Sequence, residues 1–380
     1  MPYKPLFMSS KFFKQTAFAA VMSLPVLFPA PLHAQDAFKG LESLFTVPKQ
    51  YTVTATTAAP AIDGDITDKV WANVPWTENF TDIEGAKQPA PYFNTRVKML
   101  WDNDYLYIAA QVEDPQVWAY VKKHDEVVFQ DNDFEIFIDP NNHVHQYYEL
   151  EINAINTMWD LFLPKPYRNM GDGLTSYEAL GMKTAVKVQG TLNNPKDTDK
   201  GWTVEMAIPF SALKMGNGKV SPPNNGDFWR INFSRVEWGT TVKDGKYVRN
   251  TDAEGKNMPE HNWVWSPQGL INMHYPERWG YLKFSTETKA GVQPAFELPY
   301  GEKQRNELWL VYYRQKEYQE KQGKYAGSLK ELGIDPTFQI DGITNTLEME
   351  ATDHQFYLTV KAANQPAITI NQESLIQIVK

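Results

Sequence analysis

The stretch Gln130-Asp-Asn-Asp-Phe-Glu-Ile-Phe-Ile-Asp139-Pro-Asn-Asn142, followed by Tyr147-Tyr-Glu-Leu-Glu-Ile-Asn153, constrains the fold more than any other part of the chain. Phe134, Ile136 and Ile138 alternate with Glu135, Phe137 and Asp139, and Leu150 and Ile152 alternate with Glu149, Glu151 and Asn153. In an extended chain successive side chains point to opposite faces, so this spacing predicts two strands with one oily and one largely polar side. Such a polar row is either the solvated outside of a sandwich or the floor of a site for a polyhydroxylated ligand.

The flanking segments extend the pattern. Val97 to Trp101, Asp102-Asn-Asp104 and Leu106 to Val112 read as a hairpin, and Thr184 to Val188, Trp202 to Ile208, Phe228 to Val236 and Trp279 to Phe284 as further strands. Asn193 to Gly201 and Lys214 to Asn225 are turn-forming in composition. Many short strands with little helix predict an all-β antiparallel β-sandwich over residues 47–287. From Glu302 to Gln322 the spacing of Leu308, Val311, Tyr312 and Gln315 is helical. Phe338 to Ile343, Leu347 to Ala351, Phe356 to Lys361 and Ile368 to Ile370 then predict a meander, so residues 300–380 form a small C-terminal α+β region.

With 380 residues and 42% hydrophobic content the chain can fill two cores. Its net charge of −9 opposes binding to nucleic acid or anionic membranes and favours an uncharged ligand. Aromatic residues make up 13% of the chain, a high share; most should be core, yet aromatic faces also suit the C–H faces of a pyranose. Lys4, Lys11 and Lys14 precede an apolar run from Thr16 to Ala30, and Leu32-His-Ala34 ends in a small residue. Residues 1–34 therefore read as a signal peptide cleaved near Ala34, which predicts a periplasmic or secreted protein without a membrane span. Cysteine is absent, so neither a disulfide nor a thiol-linked lipid is available.

Five segments of the larger region resemble carbohydrate-binding module family 9, in that family's order. They are Ile62-Asp-Gly-Asp-Ile-Thr-Asp-Lys-Val-Trp71, Val97-Lys-Met-Leu-Trp-Asp-Asn-Asp-Tyr-Leu-Tyr107, Phe134 to Asp139, Trp202-Thr-Val-Glu-Met-Ala-Ile-Pro209 and Trp279-Gly280. The resemblance implies a sugar-binding β-sandwich with structural calcium, of a kind often found beside glycoside hydrolase domains and so supporting polysaccharide catabolism. It also implies a sugar site in which Glu135 and Asn232 bond hydroxyls. Phe129 and Glu151 then stand at a clamp-tryptophan and an arginine position, and the second tryptophan position falls near Met273 and His274, after Asn272.

The candidate ligand-binding residues are thus Phe129, Glu135, Glu149, Glu151, Asn153, Trp159, Arg230, Asn232 and Asn272. Trp71, Trp101, Trp202 and Trp279 lie in strand patterns and read as core, whereas Trp159 and Trp238 sit near turns where a binding surface is open to them. Arg230 and Arg235 are available to pair with the acidic row. Asp131, Asp133, Asp139 and Asn141 are the oxygen ligands a calcium ion would draw on. His143-Val-His145 with Glu149 has the spacing of a metal-binding strand, without a partner motif elsewhere.

Two further functional classes fit the same residues. A glycoside hydrolase needs two carboxyls about 5–10 Å apart, and Glu149 and Glu151 satisfy that separation while pointing the same way. A partner-binding envelope protein would use residues 302–380 as its interaction region. Noncatalytic binding of carbohydrate, with no catalytic residues assigned, is the principal expectation.

Overall fold

The computed structural model describes residues 37–215, 222–287 and 296–379. The expected signal segment, residues 1–34, and part of the Lys214 to Asn225 loop lie outside these.

Fourteen strands precede the helix: β1 (Gln50–Ala55), β2 (Thr81–Asp82), β3 (Thr95–Trp101), β4 (Tyr105–Glu113), β5 (Asp133–Asp139), β6 (Tyr147–Asn153), β7 (Met158–Leu163), β8 (Lys183–Gln189), β9 (Gly201–Pro209), β10 (Phe228–Glu237), β11 (Thr240–Lys243), β12 (Lys246–Arg249), β13 (His261–Val264) and β14 (Gly280–Ser285). Ten of them make one curled sheet in the order β7-β6-β5-β10-β14-β1-β3-β4-β9-β8, with β13 added on β10 and β2 on β13. The curl is sharpest at β1, which pairs in parallel with β14 and touches β3 through only Thr54↔Leu100 and Ala55↔Trp101. Folding there brings the two halves face to face, and one core joins Phe134, Ile136 and Phe233 from one half to Met99, Ile108 and Met206 from the other. The architecture is the expected β-sandwich.

Local chemistry explains the pairings. Asp102 Oδ1 accepts from the backbone N–H of Asp104 (2.8 Å) and Tyr105 (2.9 Å), which closes the β3–β4 turn and sets the register Trp101↔Leu106. Trp71, Trp101, Trp202 and Trp279 are buried as expected, but only Trp101 and Trp202 lie in strands: Trp71 ends a short 3-10 helix, Lys69–Trp71, and Trp279 precedes β14. A Cβ at Gly280 would collide with the Trp265 indole, so only glycine fits after Trp279.

The C-terminal unit consists of α1 (Tyr300–Gln322) and a meander of β15 (Thr337–Ile340), β16 (Ile343–Ala351), β17 (Phe356–Ala362), β18 (Ile368–Asn371) and β19 (Ile376–Ile378). The single strand expected over Phe338 to Ile343 is in fact split: Asp341 and Gly342 both have positive φ, the conformation of a tight hairpin turn. On α1, Leu308, Val311 and Tyr312 pack against Leu358, Val360 and Ile370. Gln315 is equally buried, and its amide is satisfied by both the N–H and the carbonyl of Ala326.

This unit is bolted to the sandwich by buried charge. Arg230 of β10 meets Glu302 of α1 at 3.0 Å, and Tyr281 Oη (3.1 Å) and Asn142 Nδ2 (2.7 Å) donate to the same carboxylate. Further along, Arg168 pairs with Glu277 at 2.9 Å while Tyr313 Oη donates to Glu277 at 2.6 Å.

Candidate functional site

Register places the acidic residues side by side. Across β10, β5, β6 and β7 one row reads Ser234, Glu135, Glu151, Trp159, and the next reads Asn232, Phe137, Glu149, Leu161. Because the alternation sends Phe134, Ile136, Leu150 and Ile152 into the core, these two rows face outward. Their β5, β6 and β7 members, Glu135, Phe137, Glu149, Glu151, Trp159 and Leu161, line a cleft of about 320 Å³. Phe129 and Trp159 line its β7 side, Glu260 and Asn262 its β13 side, and Tyr167 and His274 meet edge to face at 4.5 Å along it.

The floor is acidic without a counter-charge. Asp133, Glu135, Glu149 and Glu151 are all buried, and no lysine or arginine is among the described residues that line the cleft. Burial pushes Glu135 up to about 7. Burial, then the charge of Glu135, raises Asp133, Glu149 and Glu151 well above the usual carboxylate range. Few donors are offered to them: Glu151 Oε2 accepts from Phe129 N–H (3.1 Å), Asp133 Oδ1 accepts from Val236 N–H (3.2 Å), and Asp133 Oδ2 has no partner among the described residues. Carboxyls that keep their protons this readily both donate to and accept from hydroxyl groups.

The aromatic wall is a platform. Phe129 and Trp159 lie 6.2 Å apart between ring centroids and within 30° of parallel. A sugar held between two rings needs about 7–8 Å, twice a carbon–carbon contact, so a saccharide would lie across the pair instead of between them.

Of the nine residues expected to bind ligand, Phe129, Glu135, Glu149, Glu151, Trp159 and Asn272 line the cleft. The other three do not. Asn153 is fully buried, donates to Val121 O and Asp131 Oδ2, and accepts from Ile155 and Thr157 N–H, which shapes the β6–β7 turn. Asn232 is equally buried, donates to Ser266 O (2.9 Å) and accepts from Ser266 N–H (2.9 Å), which ties the chain beyond β13 to β10. Arg230 lies under α1, as described above. It does not pair with the acidic row, and nor does Arg235, which is buried against Glu237 at 2.7 Å. Trp238 is also buried, its indole N–H donating to Phe129 O at 2.8 Å.

The oxygen set expected for calcium is not brought together. Asp131 Oδ2 accepts from Tyr120 N–H, Val121 N–H and Asn153 Nδ2, which holds a loop. Asp139, six residues along β5 from Asp133 and so about 20 Å away, uses its two oxygens on the N–H groups of Asn141 (3.1 Å) and Val144 (2.7 Å). Asp133 instead joins the cleft acids, with carboxyl oxygens of Asp133, Glu135 and Glu151 all within 4.8 Å of one another. His143 and His145 lie in the β5–β6 turn, not on a strand, and His145 Nε2 sits 2.7 Å from Glu373 O. The intervening Val144 has positive φ, which breaks the alternation that would have aligned the two rings with Glu149.

Tyr167, Glu260 and Asn262 also line the cleft and carry no local signal as binding residues, whereas His274 and Met273, which line it too, stand near the position where the family resemblance places the second tryptophan. A contact with the C-terminal unit explains the placing of Tyr167, and Arg168 next to it explains that of His274. Asn169 donates to Glu373 O (2.6 Å) and Ser374 Oγ (2.6 Å) and accepts from Tyr312 Oη (3.1 Å), which fixes the turn carrying Tyr167. Arg168 stacks on Tyr275 at 4.0 Å and bonds His274 O, which fixes His274. Burial, and then the charge of Arg168, lower His274 to about 3. It is therefore a neutral ring, hydrogen-bonded to Tyr147 Oη at 2.9 Å.

A family model described as carbohydrate family 9 binding domain-like matches residues 62–282, well over half of the chain. The chain belongs to this family. Within it, the protein is similar to endo-1,4-beta-xylanase A of Thermotoga neapolitana, 30% identical over 161 residues that make up 42% of this chain and 13% of that enzyme. It is also similar to endo-1,4-beta-xylanase A of Thermoanaerobacterium saccharolyticum, 28% identical over 167 residues, 44% of this chain and 12% of the enzyme. The match thus spans only a small part of these relatives. Among solved structures, a carbohydrate binding module family 9 from Caldicellulosiruptor kristjanssonii in complex with cellotriose superposes with a TM-score of 0.40 at 20% identity, covering 66% of this chain and all of that one. A glucose complex of a family 9 module from that organism gives 0.40 at 19% identity, over 65% of this chain and all of that one. All the residues that line the cleft fall within the matched span.

Proposed function

We propose that this family 9 protein binds a neutral carbohydrate in the β5–β6–β7–β10 cleft without cleaving it. The observation that carries this reading is the pairing of an uncompensated carboxyl floor with an adjoining aromatic platform. Glu135, Glu149 and Glu151 would bond hydroxyls, Phe129 and Trp159 would take the apolar face of a ring, and Asn262 and Asn272 would supply amide bonds at the rim. Anionic sugars are disfavoured, because four acidic groups line the same space and only a neutral imidazole faces them.

Cleavage is the weaker reading on geometric grounds. Glu135 and Glu151 are directly opposed on neighbouring strands of one sheet face, so both would reach a glycosidic bond from below. Hydrolysis needs carboxyls flanking that bond from opposite sides. Export through the N-terminal leader, and action alongside polysaccharide-degrading enzymes, fit the resemblance to modules of xylanases and belong to the same proposal.

A glycan array on the purified full chain tests it, repeated with Glu135→Ala, Glu151→Ala and Trp159→Ala. Retention of a neutral glycan that each substitution weakens at least tenfold is expected. Retention unaffected by all three would place the sugar elsewhere, and release of reducing ends from a bound glycan would restore the hydrolase reading.

A further inference from the structure

A second side-chain cluster lies at the edge of the sandwich, remote in chemistry from the sugar cleft. On β7, Trp159 faces the cleft and Asp160 points to the opposite side of the sheet. There His124 Nε2 sits 3.2 Å from Glu178 Oε2, 3.4 Å from Asp125 Oδ1 and 3.6 Å from Asp160 Oδ1. We propose that His124, Asp160 and Glu178, whose ligand atoms lie within 4.8 Å of one another, form a binding site for one first-row divalent metal ion of the zinc type, with Asp125 beside the ring as a fourth ligand that can swing in.

Four observations converge on it. First, His124 Nδ1 lies 3.1 Å from Met158 O, a carbonyl that can only accept, so Nδ1 carries a proton. With an ion bound, Nε2 would be the ring nitrogen left to ligate it on the carboxylate side, the outer-shell arrangement by which proteins fix the tautomer of a metal-bound histidine.

Second, the distances suit a shared ion better than hydrogen bonds. One ring N–H serves one acceptor well, at about 2.7–3.2 Å, which leaves two of the three contacts too long. Donors bound at about 2.0–2.2 Å to one tetrahedral zinc are about 3.3–3.6 Å apart, the range in which the contacts to Asp125 and Asp160 fall.

Third, Asp160 Oδ1 has no hydrogen-bond partner among the described residues although Asp160 is only 1% exposed. Its other oxygen accepts from Ala179 N–H at 2.6 Å, which orients the carboxylate and aims the free oxygen at the ring. A buried oxygen without a partner is costly, and a cation would satisfy it.

Fourth, the remaining ligands can adjust. The side chains of Asp125 and Glu178 are 33% and 50% exposed, so they can close on an ion while Asp160 stays anchored. One imidazole with carboxylates favours zinc or manganese over calcium, which prefers oxygen ligands alone. Lys122 lines the same recess and opposes the ion; the two carboxylates of Asp160 and Glu178 outweigh it. Bound there, the ion would tie β7 to the loop before β5 and to the chain after Gly173.

The test uses the untagged full chain, stripped with a chelator and titrated with Zn²⁺ by calorimetry. The wild-type protein should bind one ion with at least micromolar affinity, and His124→Gln and Glu178→Gln should each weaken binding by tenfold or more. Both positions are exposed enough for the variants to fold, and Asp160→Asn keeps an oxygen for Ala179. Loading with Co²⁺ should give the visible absorption of a four-coordinate site, changed in His124→Gln. Glycan retention by these variants should match wild type, which separates failure of this site from failure of the sugar cleft. No zinc binding, equal binding by wild type and His124→Gln, or binding of Ca²⁺ in place of Zn²⁺ would each overturn the proposal.

Discussion

Glu135 on β5 and Glu151 on β6 stand directly opposite each other, close enough for their carboxyl oxygens to lie within 4.8 Å, with no basic side chain lining the cleft between them. Two buried carboxyls so placed, each raised above its ordinary range mainly by burial, are not there for stability. Glu151→Gln keeps an oxygen for Phe129 N–H while removing a buried ionisable group and its coupling to Glu135, and should stabilise the ligand-free protein by about 1–3 kcal/mol at neutral pH. The same change should weaken glycan retention, so a higher melting temperature with lost binding is the expected pair of results. A lower melting temperature would mean the carboxylate has a compensating partner.

The platform geometry makes its own prediction. Trp159→Ala and Phe129→Ala should each cost about 1–2 kcal/mol of binding, roughly tenfold in Kd, by calorimetry against a neutral oligosaccharide. Because the rings form one surface, the double variant should lose less than the sum of the two single losses. A sugar sandwiched between the rings would instead make either substitution as damaging as both.

His274 sets an acid limit on stability. Its folded pKa of about 3 lies below its ordinary value of 6.5, so its contribution is fully present above about pH 6.5 and is lost as pH falls toward 3. The fully developed effect is at most about 5 kcal/mol. Urea unfolding from pH 7 to pH 4 should show a steeper decline in wild type than in His274→Gln.

The buried bridge between the sandwich and α1 depends on Glu302, which Arg230 and Arg305 contact at 3.0 and 3.1 Å. Glu302→Ala strands two buried guanidinium groups and should destabilise the protein by about 3–5 kcal/mol, read as a shift in the urea midpoint. Because the C-terminal unit also holds the turn of Tyr167, Asn169→Ala should weaken glycan binding without touching the ligand.

Alternation with a period of two is a local property, so the sequence alone determined that Glu135, Glu149 and Glu151 share the face opposite Phe134, Ile136, Leu150 and Ile152. It also determined that Leu308, Val311, Tyr312 and Gln315 share one side of a helix. What an outward face meets is not local. Only the tertiary structure decided that Asn153 and Asn232 would be consumed by backbone groups, that Arg230 would vanish beneath α1, and that Tyr167, Glu260, Asn262 and His274, distant along the chain, would wall the cleft. The same holds for His124, Asp160 and Glu178, whose convergence depends on the packing of loops against the sheet edge and leaves no spacing to read.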